Sequence, residues 1–156
     1  LIECGADIVF HIKNSQLHSF LPQPYAQSIS RLVLEEKPAI LIGAATTTGR
    51  TVMPSVAAAL ETGLTADCTG LSIDSSSGLL LQTRPAIGGN IMATIKTPER
   101  RPQMATVRPR SAPPAPRVTG RAGRIVVKDY EPAVLFTPER FIEFIKDSSQ
   151  TDKESN

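Results

Sequence analysis

Through residues 8–64 the chain alternates short apolar runs with longer stretches in which apolar residues recur at every third or fourth position. Ile8-Val-Phe-His-Ile12 is the first short run, bounded by Gly5 and Asp7 before it and by Lys13-Asn14-Ser15 after it. That pattern predicts a buried strand. Pro24 then opens a helical stretch in which Ile29, Leu32, Val33 and Glu36 recur at helix spacing, until Lys37-Pro38 ends it. Ala39-Ile-Leu-Ile-Gly43 is a second apolar run. A continuous apolar strand between helical segments indicates a parallel strand covered on both faces. After the loop Ala44 to Arg50, Val52, Val56, Ala57, Leu60 and Leu64 mark a second helix, with Thr62-Gly63 as its stop. Strand, helix, strand, loop and helix is the order of a doubly wound α/β sheet.

The rhythm changes after Cys68. Leu71–Asp74 and Leu79–Thr83 flank the polar turn Ser75-Ser-Ser-Gly78 and predict a hairpin. Ile91–Ile95 and Met104–Val107 are two more short strands, so the second half is expected to carry antiparallel or mixed strands. Pro109 to Gly123 is rich in Pro, Arg, Ala and Gly without a period, which predicts an extended, mobile connector. Arg124–Lys128 reads as an edge strand. Thr137-Pro138 supplies an N-cap and a first-turn proline to a helix ending at Lys146, with Phe141, Ile142, Phe144 and Ile145 on its apolar face. The expected organisation is a domain over residues 1–109, a basic connector over 110–123, a completing strand and helix over 124–147, and a frayed polar tail over 148–156.

Composition narrows the class. With 156 residues and 40% hydrophobic content the chain is about one domain, but aromatic content is 4% and Trp is absent. The core must rest on Ile, Leu, Val and Ala, which suits helices packed on a sheet. A net charge of +2 is too small to imply nucleic acid. The seven arginines between Arg100 and Arg124 read as a solvated linker before a docking surface. Cys4 and Cys68 lack metal-ligand spacing and read as reduced core thiols of a cytosolic protein. No apolar run approaches the roughly 20 residues of a membrane span. The chain opens without Met and runs straight into a strand, so an N-terminal portion of the domain is expected to be missing.

Candidate chemistry is sparse. The loop Gly43 to Arg50 follows a strand and precedes a helix, the place where open α/β sheets bind ligands. It is neither Gly-x-Gly-x-x-Gly nor a P-loop, and a tight turn capped by Thr is the favoured reading. Thr83-Arg-Pro-Ala-Ile-Gly-Gly-Asn90 is the most unusual stretch. Gly88-Gly89 lets a backbone approach closely, Asn90 offers a donor and acceptors, and Arg84 suits a planar ring or carboxylate. An ion pair of Arg84 with a carboxylate such as Asp67 is the equal alternative. Isolated His11 reads as a satisfied core or edge imidazole. No nucleophile sits beside a base, and no carboxylate pair or metal cluster is in view.

Four motifs in order resemble the alpha subunit of electron transfer flavoproteins: Ile42-Gly-Ala-Ala-Thr-Thr-Thr-Gly-Arg50, Pro54 to Asp67, Arg84-Pro-Ala-Ile-Gly-Gly-Asn90 and Arg101-Pro-Gln-Met-Ala-Thr-Val-Arg-Pro109. Departures are Thr51-Val52-Met53 after Gly49-Arg50, Ile87 in place of an aromatic, and nothing after Arg124 like the family's FAD-binding second domain. The resemblance implies a Rossmann-like α/β domain of the adenine nucleotide alpha hydrolase-like type: a mostly parallel sheet flanked by helices, with an antiparallel portion in the second half. It implies an electron carrier rather than a catalyst. FAD would be held by the complete heterodimer rather than by this chain alone. The implied partners are the beta subunit, for which this domain is scaffold and docking surface, and acyl-CoA or other flavoprotein dehydrogenases. It implies a cytoplasmic, bacterial or archaeal setting. Arg84, Gly88, Gly89, Asn90 and Arg108 become candidate contacts with a flavin on the beta subunit, Arg108 having the weaker claim because it suits bracing the sheet. A rival of another class is a stand-alone nucleotide-binding or interaction domain of the same fold without redox work.

Overall fold

The computed structural model describes residues 1–131, 137–143 and 145. The first predicted elements are present: β1 (Ile8–Lys13), α1 (Pro22–Glu36), β2 (Ile40–Ala44) and α2 (Thr47–Ala59). Pro22 takes the first turn of α1, two residues ahead of the sequence estimate. Lys37 stops it in the left-handed conformation, its N–H donating to the Val33 carbonyl at 2.8 Å, and Pro38 cannot continue the helix. α2 ends at Ala59, five residues earlier than its apolar spacing suggests.

Leu64 belongs to a strand instead. β3 (Leu64–Cys68) and β4 (Gly70–Ile73) follow, then β5 (Leu80–Ala86), β6 (Ile91–Ile95), β7 (Gln103–Val107) and β8 (Arg124–Asp129). The chain is α/β and Rossmann-like, with mostly parallel strands flanked by helices and one antiparallel sheet. β7 is the centre of a parallel sheet ordered β2–β7–β3. The antiparallel sheet is β4–β5–β6.

Alternation along β7 explains the layers. Met104 belongs to one buried cluster with Val52, Met53, Val56 and Ala57 of α2 and Ala26 of α1. Ala105 turns the other way, to Leu80 and Cys68. Gln103 accepts from the Leu80 N–H through Oε1 at 2.8 Å, tying β5 to that second face. Helices cover one side of the central sheet and β5 covers the other, so β7 is buried on both faces.

β1 and β2 depart from the buried strands their apolar runs predict. Neither contains a buried residue, and Ile8 is 40% and Ile42 52% exposed. The cause is pairing: among the described residues β1 bonds only to β8 and β2 only to β7, so each has one edge without a described partner strand. β8 runs parallel to β1, with Ile8 opposite Arg124 and Lys13 opposite Asp129. Its end is anchored on α1, where Lys128 meets Glu35 at 3.0 Å and Glu36 at 2.8 Å.

Residues 110–123 contain neither helix nor strand. They are nevertheless tied down, by Val118 N–H on the Glu3 carbonyl at 2.8 Å and by Arg121 on the Ala6 carbonyl and the Asp7 carboxylate at 2.7 and 2.6 Å. Residues 137–143 and 145 are not helical, against the expectation for Thr137–Lys146. Thr137 does make the cap-like bond from the Glu139 N–H at 3.1 Å. Phe141, Ile142 and Ile145 are exposed, however, and a ten-residue helix without packing is marginal in water. Phe144, Lys146 and the predicted tail lie outside the described residues. Cys68 is buried as expected, but Cys4 is on the surface. No described helix is long and apolar enough to cross a membrane.

Candidate functional site

Two groups of residues gather around the carboxyl end of β3. The first is built on the loop after β2. Thr46 caps α2, its Oγ1 accepting from the Gly49 N–H at 3.2 Å, as the tight-turn reading expects. Arg50 then stands in the first turn of the helix, where a cation is disfavoured by the helix dipole. Its Nε donates to the Ala45 carbonyl at 3.0 Å and its Nη2 to Asp67 Oδ1 at 2.9 Å.

Asp67 is the hub. Arg108 grips the same carboxylate with two bonds, Nη2 to Oδ2 at 2.6 Å and Nε to Oδ1 at 3.2 Å. The Asp67 backbone sits at φ 61, with its N–H donating to Thr106 Oγ1 at 2.9 Å. This positive φ is the reason β3 slips register against β7 between Thr65 and Cys68. One carboxylate therefore locks together the start of α2 and the ends of β3 and β7. The carboxyl end of the parallel sheet is occupied by a side-chain brace.

The Arg108 guanidinium, helped by Arg50, holds the Asp67 carboxyl below its ordinary 3.8 against the opposing effect of burial. A carboxyl whose pKa is lower folded than unfolded adds stability above its unfolded value, lost as pH falls through the folded one. The expected result is that Asp67→Asn lowers the urea midpoint at pH 7, and that the gap from the parent narrows by pH 3. A gap of the same size at both pH values would show that the charge is not what Asp67 supplies.

The second group is the turn from β5 to β6. Arg84 is half-buried on β5, opposite Ala93 of β6. The equal alternative for it, an ion pair with Asp67, is not what forms: Asp67 is taken by Arg50 and Arg108. Among the described residues no carboxylate pairs with Arg84, whose Nε reaches only the Pro85 carbonyl at 3.4 Å. Its charge is felt by the buried Cys68 thiol, where it opposes the larger upward push of burial on the pKa. Gly88 and Gly89 turn the chain at φ 67 and 83. A Cβ on either would meet nothing within 4 Å, so inside this chain they serve conformation and not close approach. Asn90 and Ile87 are exposed beside them, Ile87 at 82%.

Arg84 and Arg108 thus flank the same strand end, Arg108 donating its N–H to the Cys68 carbonyl at 2.9 Å. Arg108 is spent on Asp67, and Arg84 is not. The sequence reading gave Arg50 no role. Its position in a helix's first turn was the available signal, since a cation there calls for a carboxylate. His11 is exposed at a strand position, an edge imidazole and not a core one. Among the described residues no group of three His, Cys, Asp or Glu could hold a metal.

A family model described as the electron transfer flavoprotein domain matches residues 1–134. The chain is 52% identical over 129 residues to the electron transfer flavoprotein subunit alpha of Thermoanaerobacterium thermosaccharolyticum, covering 83% of this chain and 39% of that one. It is 53% identical over 109 residues to the protein FixB of Clostridium saccharobutylicum, covering 70% and 33%. It is 39% identical over 152 residues to the lactate dehydrogenase (NAD(+),ferredoxin) subunit LctC of Acetobacterium woodii, covering 97% and 36%. The chain spans between a third and two fifths of the length of these curated relatives. With four sequence motifs, an α/β fold and this match in agreement, the chain belongs to the electron transfer flavoprotein domain family.

Proposed function

We propose that this chain acts as the first domain of an electron transfer flavoprotein alpha subunit, a scaffold that docks the beta subunit. The complete heterodimer carries electrons from acyl-CoA or other flavoprotein dehydrogenases to an acceptor, in the cytoplasm of a bacterium or archaeon. FAD is the carrier, taking up and releasing the electrons, and is held by the assembly and not by this chain alone. In this reading the chain is no catalyst.

The observation that supports the reading is the state of Arg84. A half-buried guanidinium with no carboxylate partner among the described residues, beside an exposed Gly88-Gly89-Asn90 turn, is poised for an anionic or aromatic group outside the chain. We assign Arg84, with Gly88, Gly89 and Asn90, to contact with a flavin on the beta subunit. Arg108 stands at the rim of the same strand end but acts by bracing Asp67.

Co-expression with the beta subunit tests the docking role. A stable yellow heterodimer, by visible spectrum and mass, is the expected outcome, and failure to associate favours an interaction module without redox work. Within the heterodimer, Arg84→Ala should lower the reduction potential of the beta-side flavin by an amount on the order of tens of millivolts, because a cation stabilises the reduced, anionic ring. An unmoved potential would remove Arg84 from the flavin.

A further inference from the structure

Arg110-Ser-Ala-Pro-Pro-Ala-Pro-Arg117 lies between β7 and β8. Its prolines hold φ at about −65° at Pro113, Pro114 and Pro116. Ala112, Pro113 and Ala115 each precede a proline, which steers them away from the helical region. Covalent structure alone therefore biases residues 112–116 to polyproline II. The fold leaves that bias unopposed, since residues 112–120 are exposed and belong to neither helix nor strand. Polyproline II has about three residues per turn and a rise of about 3 Å per residue. Ala112-Pro113 and Ala115-Pro116, identical units three residues apart, share one edge at a spacing of about 9 Å. Pro114 falls off that edge.

Both ends of this stretch are anchored. Ser111 closes a turn on Arg108, donating its N–H at 3.3 Å and its Oγ at 2.7 Å to the Arg108 carbonyl, and Arg110 sits inside the turn at φ 63. At the far end Val118 N–H donates to the Glu3 carbonyl at 2.8 Å, and Arg121 holds Ala6 and Asp7. The prolines thus form an arch whose ordering is already in place, which removes part of the entropic cost of being bound. Charge is arranged unevenly along it. Arg108, Arg117 and Arg121 each face a carboxylate, from Asp67, Glu3 and Asp7. Among the described residues Arg110 faces none, so an uncommitted cation stands at the amino end of the proline edge. A spacer needs only length and stiffness. A repeated Ala-Pro unit beside one unpaired cation carries chemical information that a spacer does not use.

We propose that residues 110–116 are a docking ligand for a partner protein whose surface offers a groove of parallel aromatic side chains with a carboxylate at one end. The rings take the two Ala-Pro units, and the carboxylate takes Arg110. This contact is separate from the beta-subunit role and does not depend on it. A polyanion fits the arch less well, because the neighbouring arginines are already paired and it has no use for an apolar edge.

The probe is an isolated SH3 domain, which has a groove of this chemistry. It is titrated with the 156-residue chain and followed by the fluorescence of its groove tryptophan. The chain contains no Trp, so the signal belongs to the probe alone. Saturable binding is expected, with Pro113→Ala and Pro116→Ala each weakening it about tenfold and Pro114→Ala about twofold or less. Arg110→Gln should weaken it and remove most of its salt dependence. All four positions are exposed, so far-UV circular dichroism of the variants should match the parent. Absence of saturable binding overturns the proposal. Equal losses at all three prolines overturn it as well, because stiffness and not an edge is then what the groove reads. Binding untouched by Arg110→Gln removes the carboxylate from the partner.

Discussion

Met104→Ala is expected to cost this domain about 2–5 kcal/mol, the range for deleting a large side chain from a well-packed core. Met104 is fully buried on the central strand of the parallel sheet, in one cluster with Ala26 of α1 and Val52, Met53, Val56 and Ala57 of α2. Leu41 and Leu64 from the flanking strands close in around it. Truncation leaves a void that neither helix can fill without breaking its contact with the other. For a chain of this size the melting temperature should fall on the order of 10 °C. Met104→Leu conserves volume and should cost less than about 1.5 kcal/mol. Urea unfolding followed by far-UV circular dichroism measures both. A loss below about 1 kcal/mol for Met104→Ala would mean that β7 is not the centre of the core.

How much of this was legible depends on where the physical signal lay. The first strand and both helices announce themselves through apolar period, proline at a first turn and a capping Thr. β3 does not. Leu64-Thr-Ala-Asp-Cys68 mixes polar and apolar residues, and its Leu64 falls in step with the preceding helix. Its strand character comes from pairing with β7, forty residues on, and from side chains that hold its end. β7 itself looks like one more short strand of the second half. Nothing local says that it inserts between β2 and β3, because that placement is a matter of topology and not of composition.

The candidate site was legible in the same uneven way. An ion pair of Asp67 with Arg84 is the alternative the sequence offers; Asp67 does pair, but with Arg50 and Arg108. Identifying the partners needs the positions of three strand and helix ends, which sequence spacing does not supply. The glycines after Ile87 were read as allowing close approach, yet their surroundings are open and their service is to the turn. Conversely, the exposure of β1 and β2 could not be read from their apolar runs. A run reports what a strand is suited to bury, while burial itself depends on which strands stand beside it.

Gly49→Ala sets two principles in opposition, and magnitudes decide the sign. Gly49 lies in the first turn of α2 outside the left-handed region, so helix propensity alone predicts a gain of about 1 kcal/mol from alanine. The space argues the other way. A Cβ at this position would stand 1.8 Å from the Ala44 carbonyl oxygen, far inside contact distance. The obstacle is backbone, at the end of β2, and no side chain can turn aside to relieve it. Either α2 moves off the sheet or the end of β2 moves, and both shift Arg50 away from Asp67. Overpacking of this kind commonly costs about 1–3 kcal/mol, and a backbone obstacle places it at the upper end or beyond. The expected outcome is a loss of about 3 kcal/mol or more. Thr46→Ala, which removes only the cap, should lose about 1 kcal/mol. Chemical unfolding of the two variants side by side gives the answer. If Gly49→Ala is as stable as the parent, propensity has won, and the turn after β2 has enough slack to move without disturbing the Asp67 brace.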